Sequence, residues 1–235
     1  MLTIIWAVRM DMGLWGMPGT MGMSFGSFLI MWTLMMAAMM LTSIAPLATL
    51  YERTVTAHRG PRLTALGGGY LLAWGSTGVV AFVVADVFGD IAADRPTLAR
   101  WVAVACFAAA GLYQLTPLKI RCLDHCRSPL GHLMRYIGFR GPLRDARAGI
   151  HHGLFCLGCC WALMTVMVAF GVMNVAAMVG LALVIAVEKH WRHGERFARV
   201  VGVVAVMWAV GIVIDPSVAP GLDPDAVMGM PTGEG

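Results

Sequence analysis

The sequence predicts an all-α protein, a polytopic transmembrane helical bundle of about six spans with both termini on the outer side. Three observations carry this expectation. Of the 235 residues 59% are hydrophobic and 13% charged, with a mean hydropathy of +0.75; a soluble domain is roughly 45–50% apolar and about 25% charged. Uncharged stretches close to the roughly 20 residues needed to cross a bilayer recur along the chain. The basic residues gather in alternate loops, as the positive-inside rule requires. The composition excludes a soluble globule, a disordered chain and a coiled coil, and 28 Gly with 11 Pro but no repeat period exclude a fibre.

The elements follow in order. No charge occurs between Asp11 and Glu52, and the apolar part of that stretch, about 25–50, reads as the first span. The second runs from about 66 to 85, before Asp86. The third covers about 98–115, with Arg100 able to snorkel at its start and Pro117 marking its end. The segment 116–150 is the one long loop, basic, with room for one or two short helices. Between Gly153 and Val187 there is again no charge. A single helix of that length would rise about 50 Å, too far for a hydrocarbon core of roughly 30 Å. A hairpin break near 171–174 therefore divides it into spans four and five, each close to the short limit of about 17 residues, with a re-entrant segment as the alternative. The sixth span covers about 197–214. Residues 1–24 form a Met-rich exterior segment and 215–235 a flexible exterior tail; 25–214 is one membrane domain without internal repeat.

Orientation follows from the basic residues. Fourteen of the 17 lie in or at the edges of the loops at 51–64, 116–150 and 188–197, leaving only Arg9, Arg95 and Arg100 on the other side. The net charge of +4 is thus a topology signal, directed at anionic lipid headgroups and not at nucleic acid. The apolar start, 1–8, is too short for a convincing signal peptide and has no basic residue before it. The expected location is a bacterial inner (plasma) membrane, crossed several times. Five of the six cysteines fall at or near the cytosolic face, where reducing conditions argue against structural disulfides.

Sulfur is abundant, with 19 Met and 6 Cys, while Gln and Asn occur once each. The densest cluster is His151, His152, Cys156, Cys159 and Cys160, followed by Met164 and Met167. On a helix wheel His152, the three thiols and Met167 share an arc of about 100°. Cys122 and Cys126 lie one helical turn apart in the basic loop, with His125 beside them; alone such a pair is a weak signal, but the loop closes onto the end of the fourth span. Surrounding arginines favour the thiolate, the form that binds metal. In the first span Met31, Met35 and Met39 share one face, with Met36 and Met40 on the neighbouring one. Thioethers are soft donors that select Cu(I) over hard cations. Exterior Met10, Met12, Met17, Met21, Met23, Met228 and Met230, the Met stripe, and cytosolic Cys and His would form a gradient of rising Cu(I) affinity. The plain alternative is that Cys and Met fill gaps between helices. Glu188 and Lys189 are candidates by depth, though at a helix end they read as boundary charges in solvent. Gly67, Gly68, Gly69, Gly75 and Gly78 read as packing positions.

Three stretches carry a resemblance: the run Met35-Met36-Ala37-Ala38-Met39-Met40; the segment 113–127 with Cys-Leu-Asp-His-Cys at 122–126; and 153–161 with Cys156, Cys159 and Cys160, followed by Glu188 and Lys189. Over about residues 25–214 the chain resembles a bacterial family of predicted metal-binding integral membrane proteins. The resemblance implies metal binding by the matched Cys122, Cys126, Cys156, Cys159 and Cys160, without fixing the metal or the activity. The leading expectation is a membrane protein that binds a soft metal, Cu(I) first and zinc second, for transfer, transport or delivery. Mercuric or other soft-ion transport is a close relative of that reading. Its partners would be the lipid bilayer, the metal ion, and a metallochaperone or a subunit of a membrane complex. The alternatives are a structural or assembly subunit and a membrane thiol oxidoreductase; an enzyme is the weaker reading, since the thiols face the reducing side, no quinone or haem ligand pattern is evident, and adjacent Cys159 and Cys160 would form a strained disulfide.

Overall fold

Local signals punctuate the chain as the physics of helix ends requires. A computed structural model describes residue 20 and residues 22–54, 58–170 and 174–215. Among these are eight helices and no strand: α1 (Phe25–Thr54), α2 (Arg59–Asp94), α3 (Pro96–Gln114), α4 (Pro117–Arg127), α5 (Pro129–Ile137), α6 (Arg144–Phe170), α7 (Val175–His190) and α8 (Gly194–Ile214). Proline stands in the first turn of α3, α4 and α5, where its missing N–H is no loss. Thr116 caps α4 by accepting from Lys119 N, and Asn174, the only Asn, caps α7 by accepting from Ala177 N at 2.9 Å.

Four helical stretches are long and apolar enough to cross a membrane: Phe25–Thr54, Arg59–Ile91, Arg144–Met167 and Gly194–Ile214. A fifth arises only if Thr97–Gln114 and Pro117–Arg127 are joined across their 66° bend. Among the described residues there are thus four or five candidate spans by length and composition where six were expected. Two expected spans do not qualify alone: the third, α3, counts only when joined to α4, and the fifth corresponds to α7. α6 begins at Arg144 and takes up part of the expected loop, and α7 has only 16 residues, short of the roughly 17 a span needs. The expected break near 171–174 coincides with the end of α6 at Phe170 and the cap at Asn174; residues 171–173 lie outside the described residues. Met10, Met12, Met17, Met21, Met228 and Met230 also lie outside them, whereas Met23 packs against the core.

The helices pack through small residues. α2 and α6 approach so closely that a Cβ at Gly69 would overlap the Ala146 backbone, and one at Gly149 the Leu66 carbonyl. Gly78 is set against Trp32 and Leu29 and Gly75 against Thr33, but Gly67 and Gly68 face open space, so the expected glycine seam is only partly a packing seam. A second apolar cluster of Ala103, Ala110, Ala162, Ala205 and Ala209 joins α3, α6 and α8. Arg100 turns along the bundle: its guanidinium donates to the carbonyls of Ile212 (3.1 Å) and Val213, capping α8. The outward faces of α2 and α8 expose Val79, Val80 and Val83, and Val200, Val203 and Val204.

One polar staple sets the register of the bundle. The Tyr51 hydroxyl and the Arg62 guanidinium both donate to Asp145, Arg62 through Nε (3.2 Å) and Nη2 (3.0 Å). It joins the end of α1 to the starts of α2 and α6. Replacing Asp145 with Asn is expected to cost about 1–3 kcal/mol, the range for hydrogen bonds to a charged group, read by thermal unfolding in detergent.

Candidate metal centre

The register decides which donors meet. Tyr51 stands level with Asp145, and α1 runs antiparallel to α6. The Tyr70 hydroxyl donates to the Met40 carbonyl at 2.9 Å and lies 3.0 Å from Cys156 Sγ, so Met40 stands level with Cys156. His151 and His152 therefore lie on the Asp145 side of the thiols. At 1.5 Å per residue, Met164 and Met167 lie about 12 and 16 Å away on the other side.

The thiols come together because α4 folds back after the bend. Cys126 in its last turn reaches Cys156 and Cys159, one turn apart on α6. The sulfur atoms of Cys126, Cys156 and Cys159 all lie within 4.8 Å of one another, and all three residues are buried. Cys126 and Cys159 are 3.8 Å apart. Three thiolates around one ion at a metal–sulfur distance of about 2.3 Å would stand roughly 4 Å apart, so the spacing fits a single soft ion. Cys160 is fully buried, its sulfur 3.3 Å from that of Cys159. Cys122, one turn earlier on α4, is half-buried and packs against Gly158, where a Cβ would come within 3.0 Å of its sulfur.

The histidines form a neighbouring group. The Tyr136 hydroxyl is 3.2 Å from His125 Nε2 and 3.1 Å from His151 Nδ1. Burial pushes that hydroxyl above the usual phenol range. His125 is stacked on Phe155 with ring centroids 3.6 Å apart, and the His152 ring lies 6.1 Å from it. Met35, Met36, Met39, Met40, Met164 and Met167 are buried in the same apolar cluster as the cysteines, with half-buried Met31 packed against it.

Glu188 and Lys189 overturn their expected reading as boundary charges, for both are buried. The Lys189 ammonium donates to Cys156 Sγ and to Ser43 Oγ, each at 3.0 Å. Glu188 pairs with Lys119 at 2.7 Å, and its other oxygen accepts from Gln114 Nε2 at 2.5 Å. Lys119 also donates to the Cys159 carbonyl at 2.5 Å. The physical reason is packing at the end of α7: Gln114 of α3 and Lys119 of α4 cover Glu188, and Ser43 of α1 and Cys156 of α6 enclose Lys189. Lys119, Gln114, Tyr70, Ser43 and Tyr136 were not among the expected site residues. A compositional signal marks the first two. The chain has fifteen arginines but only two lysines and one glutamine, and both lysines and the glutamine lie in this buried network.

The fold and this site define a helical protein with a buried thiol centre suited to a soft metal ion. The chain belongs to the PpoB2 copper chaperone family, whose profile matches residues 29–212, more than three quarters of its length. That match agrees with the metal-binding family the sequence resembles. No curated protein and no solved structure matches the chain significantly.

Proposed function

We propose that this chain is an integral membrane copper chaperone that holds Cu(I) on Cys126, Cys156 and Cys159 and passes it on to a copper-requiring partner. The observation that carries the reading is the convergence of three buried thiols from two helices, within 4.8 Å, in a chain of the copper chaperone family. Soft sulfur donors select Cu(I), and three of them outcompete the one or two a metal usually finds by chance. Cys160 and Cys122 stand close enough to take part in exchange, and the His125–Tyr136–His151 group and the buried Met stripe flank the thiols on either side along the bundle. Copper arriving on thioethers would gain affinity at the thiols; imidazoles on the other side would offer exchangeable donors. The exposed valines on α2 and α8 and the four to five apolar helical spans support a bilayer location, with the basic loops facing the cytosol of a bacterial cell.

The test is copper content by mass spectrometry on the full chain, purified anaerobically in detergent after growth with copper and zinc. Wild type is expected to carry close to one copper per chain. The Cys126→Ser/Cys156→Ser/Cys159→Ser variant is expected to carry less than about a tenth of that, and Cys106→Ser, remote on α3, to match wild type. Zinc in place of copper would make the centre a structural clamp. Metal in neither protein would leave the cysteines as packing and favour an assembly subunit.

A further inference from the structure

We propose that Lys189 is the fixed counter-cation of the thiol centre, a positioning residue that makes the site accept metal only as a thiolate complex of net negative charge. This rests on the copper reading above and assigns the specificity of the same site.

The two buried lysines are unequally paired. Lys119 is neutralised by Glu188 at 2.7 Å. Lys189 is 7% exposed, and among the described residues no carboxylate lies within ion-pair distance of it. Its two hydrogen-bond partners are the neutral hydroxyl of Ser43 and the sulfur of Cys156. An ammonium held away from water without an anion is strongly disfavoured, and such groups persist where a negative charge is supplied. The group within reach that can carry that charge is Cys156 Sγ, and the other two thiols stand within 4.8 Å of it.

The electrostatic consequence has a definite sign. A monovalent ion on two or three thiolates forms a complex of net charge −1 or −2, and the ammonium at 3.0 Å from one of its sulfurs attracts it. The same ion on neutral thioethers, as along the Met stripe, forms a cationic complex that the ammonium repels. Lys189 thus separates the thiol centre from the Met ladder by charge as well as by donor type.

Two measurements test this on the full chain in detergent. In the first, Cu(I) is supplied anaerobically as its bathocuproine disulfonate complex and the affinity is read by competition. Lys189→Met is expected to weaken Cu(I) binding about tenfold or more, while Lys189→Arg, which keeps the charge, stays within about threefold of wild type. Equal affinity for wild type and Lys189→Met would overturn the proposal and leave the copper reading standing. In the second, metal-free protein is unfolded thermally in a double-mutant cycle. Cys156→Ser is expected to lower the midpoint, and adding Lys189→Met is expected to restore it, because the buried cation has gone with its anion. Additive effects would overturn the proposal. Failure of wild type to bind copper would overturn the copper reading alone, because the metal-free cycle still tests the pairing.

Discussion

Replacing Glu188 with glutamine is expected to cost the fold about 3–5 kcal/mol, the usual loss when one partner of a buried ion pair is removed. Both side chains of the Lys119–Glu188 pair are within 1% of complete burial. The substitution removes the anion and leaves the Lys119 ammonium in the interior with neutral acceptors only, the Cys159 carbonyl and one amide oxygen shared with Gln114. It also gives the Gln114 amide a competitor, since one end of the new side chain is itself a donor. Thermal unfolding in detergent checks the loss. The double variant Lys119→Met/Glu188→Leu is expected to recover most of it, because apolar groups of similar volume need no partners. Copper affinity should fall in the single variant as well, for Lys119 fixes the carbonyl of a residue that supplies a thiol.

Replacing Gly149 with valine is expected to cost roughly 3 kcal/mol or somewhat more, at the upper end of overpacking effects. A Cβ there would meet the Leu66 carbonyl, and the next atoms within range are also backbone, so no side chain can swing aside. α2 and α6 would have to part. α6 carries Cys156 and Cys159, and α2 carries the tyrosine that touches Cys156. The variant should therefore lose copper together with stability. Gly68→Ala, where a Cβ meets nothing within 4 Å, is the matched control; it should be neutral or gain up to about 1 kcal/mol from helix propensity. Size-exclusion profiles and copper content of the two variants, measured side by side, separate these outcomes.

The sequence made some of this legible and hid the rest for physical reasons. The thiol stripe at 156–160 was legible because cysteines at helical spacing share a face whatever surrounds them. The helix boundary at Pro117 was legible because proline acts locally, and the break near 171–174 because one helix of that length is too long for a bilayer. The number of spans was not, because hydropathy does not fix where a helix begins and ends: α6 starts at Arg144 and α7 has only 16 residues. The roles of Glu188 and Lys189 were not, because a charged pair at a helix end reads the same whether water or another helix lies beyond it; tertiary packing, of α4 on Glu188 and of α1 and α6 on Lys189, decides between them. His151 and His125 were visible as donors, but their common partner Tyr136 was not, since it comes from a helix of nine residues with no motif of its own.

The bend between α3 and α4 has one more consequence. One thiol of the centre rides on α4 and two on α6, and α4 is joined to α3 only through the turn at 115–116. A tilt of that eleven-residue arm about the turn would draw Cys126 away from the other two sulfurs, and it would also break the buried Lys119–Glu188 pair on the same arm. Three-point grip would become two-point grip, with lower affinity and an open side. The elbow that closes the centre is thus latched by a buried charge pair, so the third sulfur of the grip is only as secure as that latch.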